Sequence, residues 1–309
     1  MDNILFDEKN NKLYGIGTKE IKNNDKLVRT YFIYNISFVG VNNENNKILF
    51  NNITTSTFPI KSDDYDDTGI ADVDINHKSG DMYLIFKDHS LIRQNSLLEQ
   101  DEVDTSSYKT IDNQQIYKIP YGNEIINNPN KKLNYVLVNS IKSTDKDFVL
   151  ALNESTGRLV KNYTLPTLNS RNLLIDSNKG KLYILGDYFI YNDDIQGLSK
   201  QAEMMNVIDT NSNNVTYFSL GNFTVKNFIL NPNGDVLYAL TKENMSSLQQ
   251  KSNANHILEI DPKTERIKDI ASIPLERNYI VINDISQTLF VVGEDSQDKN
   301  KILSISIKK

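Results

Sequence analysis

The chain has 309 residues, of which 39% are hydrophobic and 24% charged, so its length fits either two ordinary domains or one large repetitive one. A formal charge of −6, from 34 basic against 40 acidic residues, argues against a nucleic-acid partner, because phosphate contacts need a clustered positive field. There is no cysteine, which excludes disulfides, thiolate nucleophiles, zinc–cysteine sites and redox motifs together.

Taken in chain order, one phrase keeps returning: a short apolar run, a polar turn rich in Asn, Asp and Gly, then Leu-Tyr or a close variant and more apolar residues. Its copies are Ile4 to Gly17, Ala71 to Phe86, Ile125 to Val138, Leu173 to Gly186, Phe228 to Leu240 and Ile280 to Gly293. The aromatic anchors Tyr14, Tyr83, Tyr135, Tyr183, Tyr238 and Phe290 stand 69, 52, 48, 55 and 52 residues apart. Each copy predicts a hairpin, since Ile, Val, Leu and Tyr suit strands and Asn, Asp and Gly tolerate the positive φ of tight turns. A second hairpin follows in several repeats. Runs such as Ala151 to Arg158, Val207 to Asn214 and Glu259 to Arg266 each lead into one more short strand, which makes four strands per unit.

No stretch carries a helical apolar period over three turns, and Leu198 to Val207, the best helix candidate, reads more easily as a loop feeding a strand. Four short strands recurring every fifty residues or so, without helices between, fit radial blades, each burying one face on each neighbour. The predicted fold is therefore all-β, a single β-propeller of four-stranded antiparallel blades. Six blades are favoured over seven, at approximately 1–60, 61–122, 123–168, 169–223, 224–275 and 276–309. A Greek-key sandwich is the rival all-β answer, but it does not predict a repeat of this length. Two points stay open: the 69-residue first interval has room for an inserted loop or an extra blade, and the last unit shows only three strands.

From Val207 to Leu240 the sequence resembles the repeat of YVTN-type propellers, in which an Ile-Asp-Thr turn, a Gly, a Pro-Asn/Asp-Gly turn and a Leu-Tyr strand recur. Ile257 to Gly293 is similar, with Asp261, Pro274 and Leu289-Phe290 in place and Asn283-Asp284 where the Pro-Asp-Gly turn would stand. The resemblance implies the fold, because its motif residues make turns and inter-blade packing. It implies little chemistry. Propellers similar to this type include enzymes that open sugar lactones, some with a metal, which supplies the alternative reading of function as a lactonase-like hydrolase.

Candidate functional residues belong on loops. The long segments Asp187 to Ala202 and Lys242 to Asn255 leave the second strands of their units and are expected on one rim, together with Lys87 to Gln115 and Lys19 to Lys26. Tyr188, Phe189 and Tyr191 offer aromatic area for recognising a protein or a cell-surface polymer. The acidic run Asp63 to Gly69 concentrates oxygen ligands for a hard cation, with Asp64, Asp66 and Asp67 as candidate calcium ligands. It departs from the EF-hand loop, because Ile75 stands where the bidentate Glu belongs. No other cofactor is expected. His77, His89 and His256 form no ligand pair by spacing, and no nucleophile elbow or phosphate-cradling glycine loop occurs. The leading expectation is a non-enzymatic binding module.

The opening residues Met1 to Phe6 lack the basic and apolar regions of a leader, and no run of about 18 apolar residues predicts a membrane-spanning helix. Together with the absence of cysteine, this composition suits a bacterial protein working outside the cytoplasm whose leader is not part of the chain; a cytoplasmic location stays open.

Overall fold

The computed structural model describes residues 3–7, 12–23, 26–42, 47–59, 70–76, 78–79, 81–86, 90–94, 114–118, 122–140, 146–192, 197–221, 223–231, 233–243, 255–283, 286–295, 297 and 299–307. They form six antiparallel meanders in chain order, with no helix among the described residues. The first sheet holds β1 (Asn3–Asp7), β2 (Lys12–Asn23), β3 (Lys26–Asn42) and β4 (Lys47–Pro59). The second holds β5 (Ile70–Ile75), β6 (Met82–Phe86), β7 (Ser90–Gln94) and β8 (Gln114–Lys118). The third holds β9 (Gly122–Asn128), β10 (Leu133–Val138), β11 (Phe148–Asn153) and β12 (Leu159–Thr164). The fourth holds β13 (Leu168–Asp176), β14 (Lys181–Asn192), β15 (Gly197–Asp209) and β16 (Asn214–Ser219). The fifth holds β17 (Phe223–Leu230), β18 (Leu237–Glu243), β19 (Asn255–Asp261) and β20 (Arg266–Ile273), and the sixth β21 (Glu276–Asn283), β22 (Thr288–Glu294) and β23 (Asn300–Ser306).

The chain divides into two compact units, Met1–Val138 with Leu150–Lys161, and Asn139–Val149 with Asn162–Lys309. In the first, the long interval before Tyr83 is taken up by the 17 residues of β3 and the 13 of β4, which pair from Thr30↔Pro59 to Asn42↔Lys47. In the second, adjacent residues of one strand serve different neighbours. Tyr183 and Leu185 join Met205, Val207 and Phe218 against Leu237, Ala239, Leu258 and Ile260 of the fifth sheet. Val236, Tyr238, Leu240 and Ile257 turn the other way, onto Ile280, Leu289 and Val291 of the sixth. A strand buried on both faces needs a continuous apolar run, which is why Val236-Leu237-Tyr238-Ala239-Leu240 has no polar alternation. On the far face of the sixth sheet, Tyr279, Val292 and Ile302 lie in one cross-strand row and are 68%, 38% and 69% exposed among the described residues.

The polar turns begin with Asn or Asp because its side-chain oxygen accepts the N–H groups two and three residues on. Asn153 accepts from Ser155 and Thr156, Asp209 from Asn211 and Ser212, Asp261 from Lys263 and Thr264, and Asp176 from Asn178 and Lys179. The Ser212 and Asn211 N–H groups hold the Asp209 carboxyl below its ordinary range. Gly234 closes the β17–β18 turn at φ 69°, and a Cβ there would meet the Asp176 carboxylate. Gly221 has φ 71° with open space around it. Gly221→Ala therefore bears only the left-handed backbone cost, about 1 kcal/mol, whereas Gly234→Ala is expected to lose about 2–3 kcal/mol. Chemical denaturation of the two variants measures the difference; equal losses would mean that Asp176 does not crowd the turn.

Candidate functional site

The segment Asp187 to Ala202, expected as a loop, is paired strand over its described residues. β14 runs on to Asn192, β15 begins at Gly197, and Tyr188↔Ala202, Ile190↔Ser199, Tyr191↔Leu198 and Asn192↔Gly197 are in register. The flanking strands stop short of it: β13 pairs only to Leu168↔Asp187 and β16 only to Met204↔Ser219. Residues 188–192 and 197–202 thus form a two-stranded ribbon that, among the described residues, is open on both edges, about five residues or 17 Å long. Tyr188 is 38% exposed and Phe189 half-buried; Tyr191 is placed by its backbone, opposite Leu198. The helix candidate Leu198 to Val207 lies wholly in β15.

The described residues of Lys19 to Lys26 are likewise strand, with Glu20↔Arg29 to Asn23↔Lys26 paired beyond the ends of β1 and β4. Lys87 to Gln115 does not join this set as expected. It contains β7 and the start of β8, so it is not one connection after the second strand, and its remaining residues lie outside the described ones. Of Lys242 to Asn255, the structure describes only the strand residues at its two ends. Asp64, Asp66, Asp67, His77 and His89 lie outside the described residues. Among the described residues no group of three His, Asp or Glu side chains is arranged to hold a metal ion, and no helix is long and apolar enough to cross a membrane.

The base of the β14–β15 ribbon is ionic. Asp187 and Glu203 are directly opposite each other in the ladder, and like charges so placed repel. Arg171 of β13 resolves this. Its Nη2 donates to Glu203 Oε1 at 2.6 Å and its Nη1 lies 3.5 Å from Asp187 Oδ1. Asn169 and Asn172, at φ 50° and 56°, bracket Arg171, and the β13–β14 register shifts on either side of it. Left-handed Asn residues supply the kinks that turn an edge-strand arginine onto the ladder. Glu203 Oε1 also accepts the N–H of Val225, on the first strand of the fifth sheet.

That last contact recurs. Asp147 accepts the N–H groups of Ser170 on β13 and of Ser140, and it also accepts from Asn139 Nδ2. In the first unit, Asp72 and Asp74 of β5 accept the N–H groups of Ile125 and Asn127 on β9. The first strand of each of these sheets is an edge, and its outward N–H groups need acceptors, so a carboxylate from the preceding sheet supplies one. Burial pushes the Asp72 carboxyl up to about 6 and that of Asp74 up to about 7, against the lowering effect of those same N–H donors. His256 is the second residue of β19, its Nδ1 2.7 Å from Asp269 Oδ2 and its ring edge-on to Phe223.

No family model matches the sequence, and no curated protein matches it. Solved structures do. The hydrazine synthase of Kuenenia stuttgartiensis aligns with TM-score 0.61 at 11% identity, covering 97% of this chain and 75% of that one. KlAtg21, solved in complex with the coiled coil of AgAtg16, aligns with TM-score 0.56 at 12% identity over 99% and 81%. The Cps50 (Swd1) β-propeller domain of Myceliophteria thermophila aligns with TM-score 0.51 at 9% identity over 100% and 87%. With six consecutive antiparallel meanders, these likenesses define the class: the chain has the β-propeller fold.

Proposed function

We propose that this chain is a non-enzymatic binding propeller, its repeat of the YVTN type, that recognises a protein partner through the β14–β15 ribbon. The observation that carries this is the ribbon itself, two strands projecting past both neighbours with an exposed aromatic at its root. An isolated two-stranded ribbon is marginal in water, and its open edges offer N–H and C=O groups to which an extended segment of another protein can add as a third strand. Tyr188, Phe189 and Tyr191 supply the side-chain area that gives such an addition its affinity. The complex of KlAtg21 with a coiled coil supports protein recognition by analogy of fold.

The test replaces residues 188–202 by an Asn-Gly turn, which closes the hairpin at Asp187 and Glu203. Stability is expected to stay within about 1 kcal/mol, because the ribbon is paired only past the last rungs of both neighbouring strands. Affinity for the partner isolated on the native chain is expected to fall at least tenfold, about 1.4 kcal/mol. Undiminished binding by the shortened chain would sink the assignment, and a retained ligand that proves to be polysaccharide would replace the protein partner with a surface polymer.

A further inference from the structure

At the end of the fourth and fifth sheets away from the ribbon, a cavity of about 390 Å³ opens among three turns. Its volume lies within the range of small-molecule sites. Lys179, Lys181 and Tyr183 come to it from the start of β14 and the turn before, Asp235 from the β17–β18 turn, and Asp261 and Lys263 from the β19–β20 turn.

The two carboxylates are engaged in their own turns. Asp261 accepts the N–H groups of Lys263 and Thr264 at 2.9 and 3.2 Å and the Thr264 hydroxyl at 2.7 Å, and Asp235 Oδ1 accepts from Asn231 Nδ2 at 2.6 Å. Lys179 is also engaged, donating to the Asn233 carbonyl at 2.9 Å across the two sheets and lying 3.9 Å from Asp176 Oδ2. Lys181 and Lys263 differ: among the described residues neither makes an ion pair within 4.0 Å.

Tyr183 adds an independent sign. It is 1% exposed, it lines the cavity, and its hydroxyl makes no hydrogen bond among the described residues. That hydroxyl is not sealed from solvent, so it presents a donor to the cavity that no protein group takes up. Burial, reinforced by the nearby Asp176 charge, pushes this phenol up to about 12, so it stays a neutral donor at any working pH.

We infer that the cavity is a binding site for a tetrahedral oxyanion, a phosphate or sulfate group, held by the ammonium groups of Lys181 and Lys263 and by a hydrogen bond from the Tyr183 hydroxyl. The acceptor oxygens of such a group suit three donors that line one cavity from two sheets, and a group of this size leaves room for the rest of a small ligand. The site is independent of the ribbon and sits at the other end of the same strand, β14.

Calorimetric titration of the whole chain with inorganic phosphate, and in parallel with long-chain polyphosphate, tests the assignment. Saturable binding is expected, weakened by added salt because the lysines face solvent. Lys181→Met with Lys263→Met is expected to lower the affinity at least tenfold without changing the melting temperature, and Tyr183→Phe to lower it about threefold. Comparable affinity for the two probes identifies a free phosphate or a small phosphorylated ligand, and much tighter binding of the chain-like probe identifies a polyanion. Absence of saturable binding for both probes up to about 10 mM, a level that reads any Kd of interest, overturns the proposal. So does binding that the double lysine variant leaves unchanged, which also decides the matter if Tyr183→Phe fails to fold.

Discussion

Arg171→Met is expected to lower the stability of the folded chain by about 3 kcal/mol, among the largest losses any single surface-reaching residue here can produce. The arginine is 31% exposed, but the carboxylates it serves are not: the Glu203 side chain is 0% exposed and that of Asp187 11%. Removing the cation leaves two opposed carboxylates buried in one ladder, and the desolvation they suffered on folding is no longer offset. The methionine keeps most of the packing of the arginine stem, so the loss reports charge rather than volume. Combining Arg171→Met with Asp187→Asn and Glu203→Gln is expected to recover more than half of it. Urea denaturation of the single and triple variants measures both; a single-variant loss below about 0.5 kcal/mol would show that the triad is not what fastens the ribbon to its sheet.

The second large effect depends on pH. The folded carboxyl of Asp74 lies near 7 and that of Asp72 near 6, both above the ordinary value of 3.8. Between pH 4 and 7 the folded chain therefore holds protons that the unfolded chain has released. Stability from these two groups is fully present below about pH 4 and is lost as pH rises through 6 and 7. Asp74→Asn keeps the oxygen that accepts the Asn127 N–H and removes the ionisation. Because solvent still reaches part of the side chain, we expect the variant to exceed the wild type by about 2 kcal/mol at pH 8, roughly half the full linkage value, and by almost nothing at pH 4. The neighbouring acids Asp72 and Glu124 act in the same direction and are unchanged in the comparison. Parallel stability profiles for the two proteins across this range would mean that Asp74 ionises normally in the fold.

Most of the repeat is legible in the sequence, and the reason is local. A hairpin whose turn begins with Asn or Asp and ends in Leu-Tyr carries its own signals, which is why Asp176, Asp209 and Asp261 cap the turns where the sequence pattern places them. The ribbon escapes such a reading for an equally physical reason. Strand signals in this fold come from burial on two faces, and Gly197 to Lys200, paired beyond the last rungs of β13 and β16, carries too few apolar residues to give one, so it reads as polar loop although it is paired. The Lys87 to Gln115 segment misleads because β7 is short and polar, Ser90-Leu91-Ile92-Arg93-Gln94, and hides inside what looks like one connection. The Arg171 triad is not legible at all: its members lie 16 and 32 residues from the arginine, and only the register of β14 on β15 makes Asp187 and Glu203 neighbours. The one available signal is the polar Asn169-Ser170-Arg171-Asn172 stretch near the head of β13, and the first strands β9 and β21 open on polar residues as well.

The recognition role of the ribbon is tested most directly by amide hydrogen exchange on the chain alone and bound to its captured partner. The ribbon amides of residues 188–192 and 197–202 are expected to exchange quickly in the free chain and at least tenfold more slowly in the complex, as an added strand takes up an open edge. Protection elsewhere on the chain, with the ribbon amides exchanging as fast as before, would contradict the account.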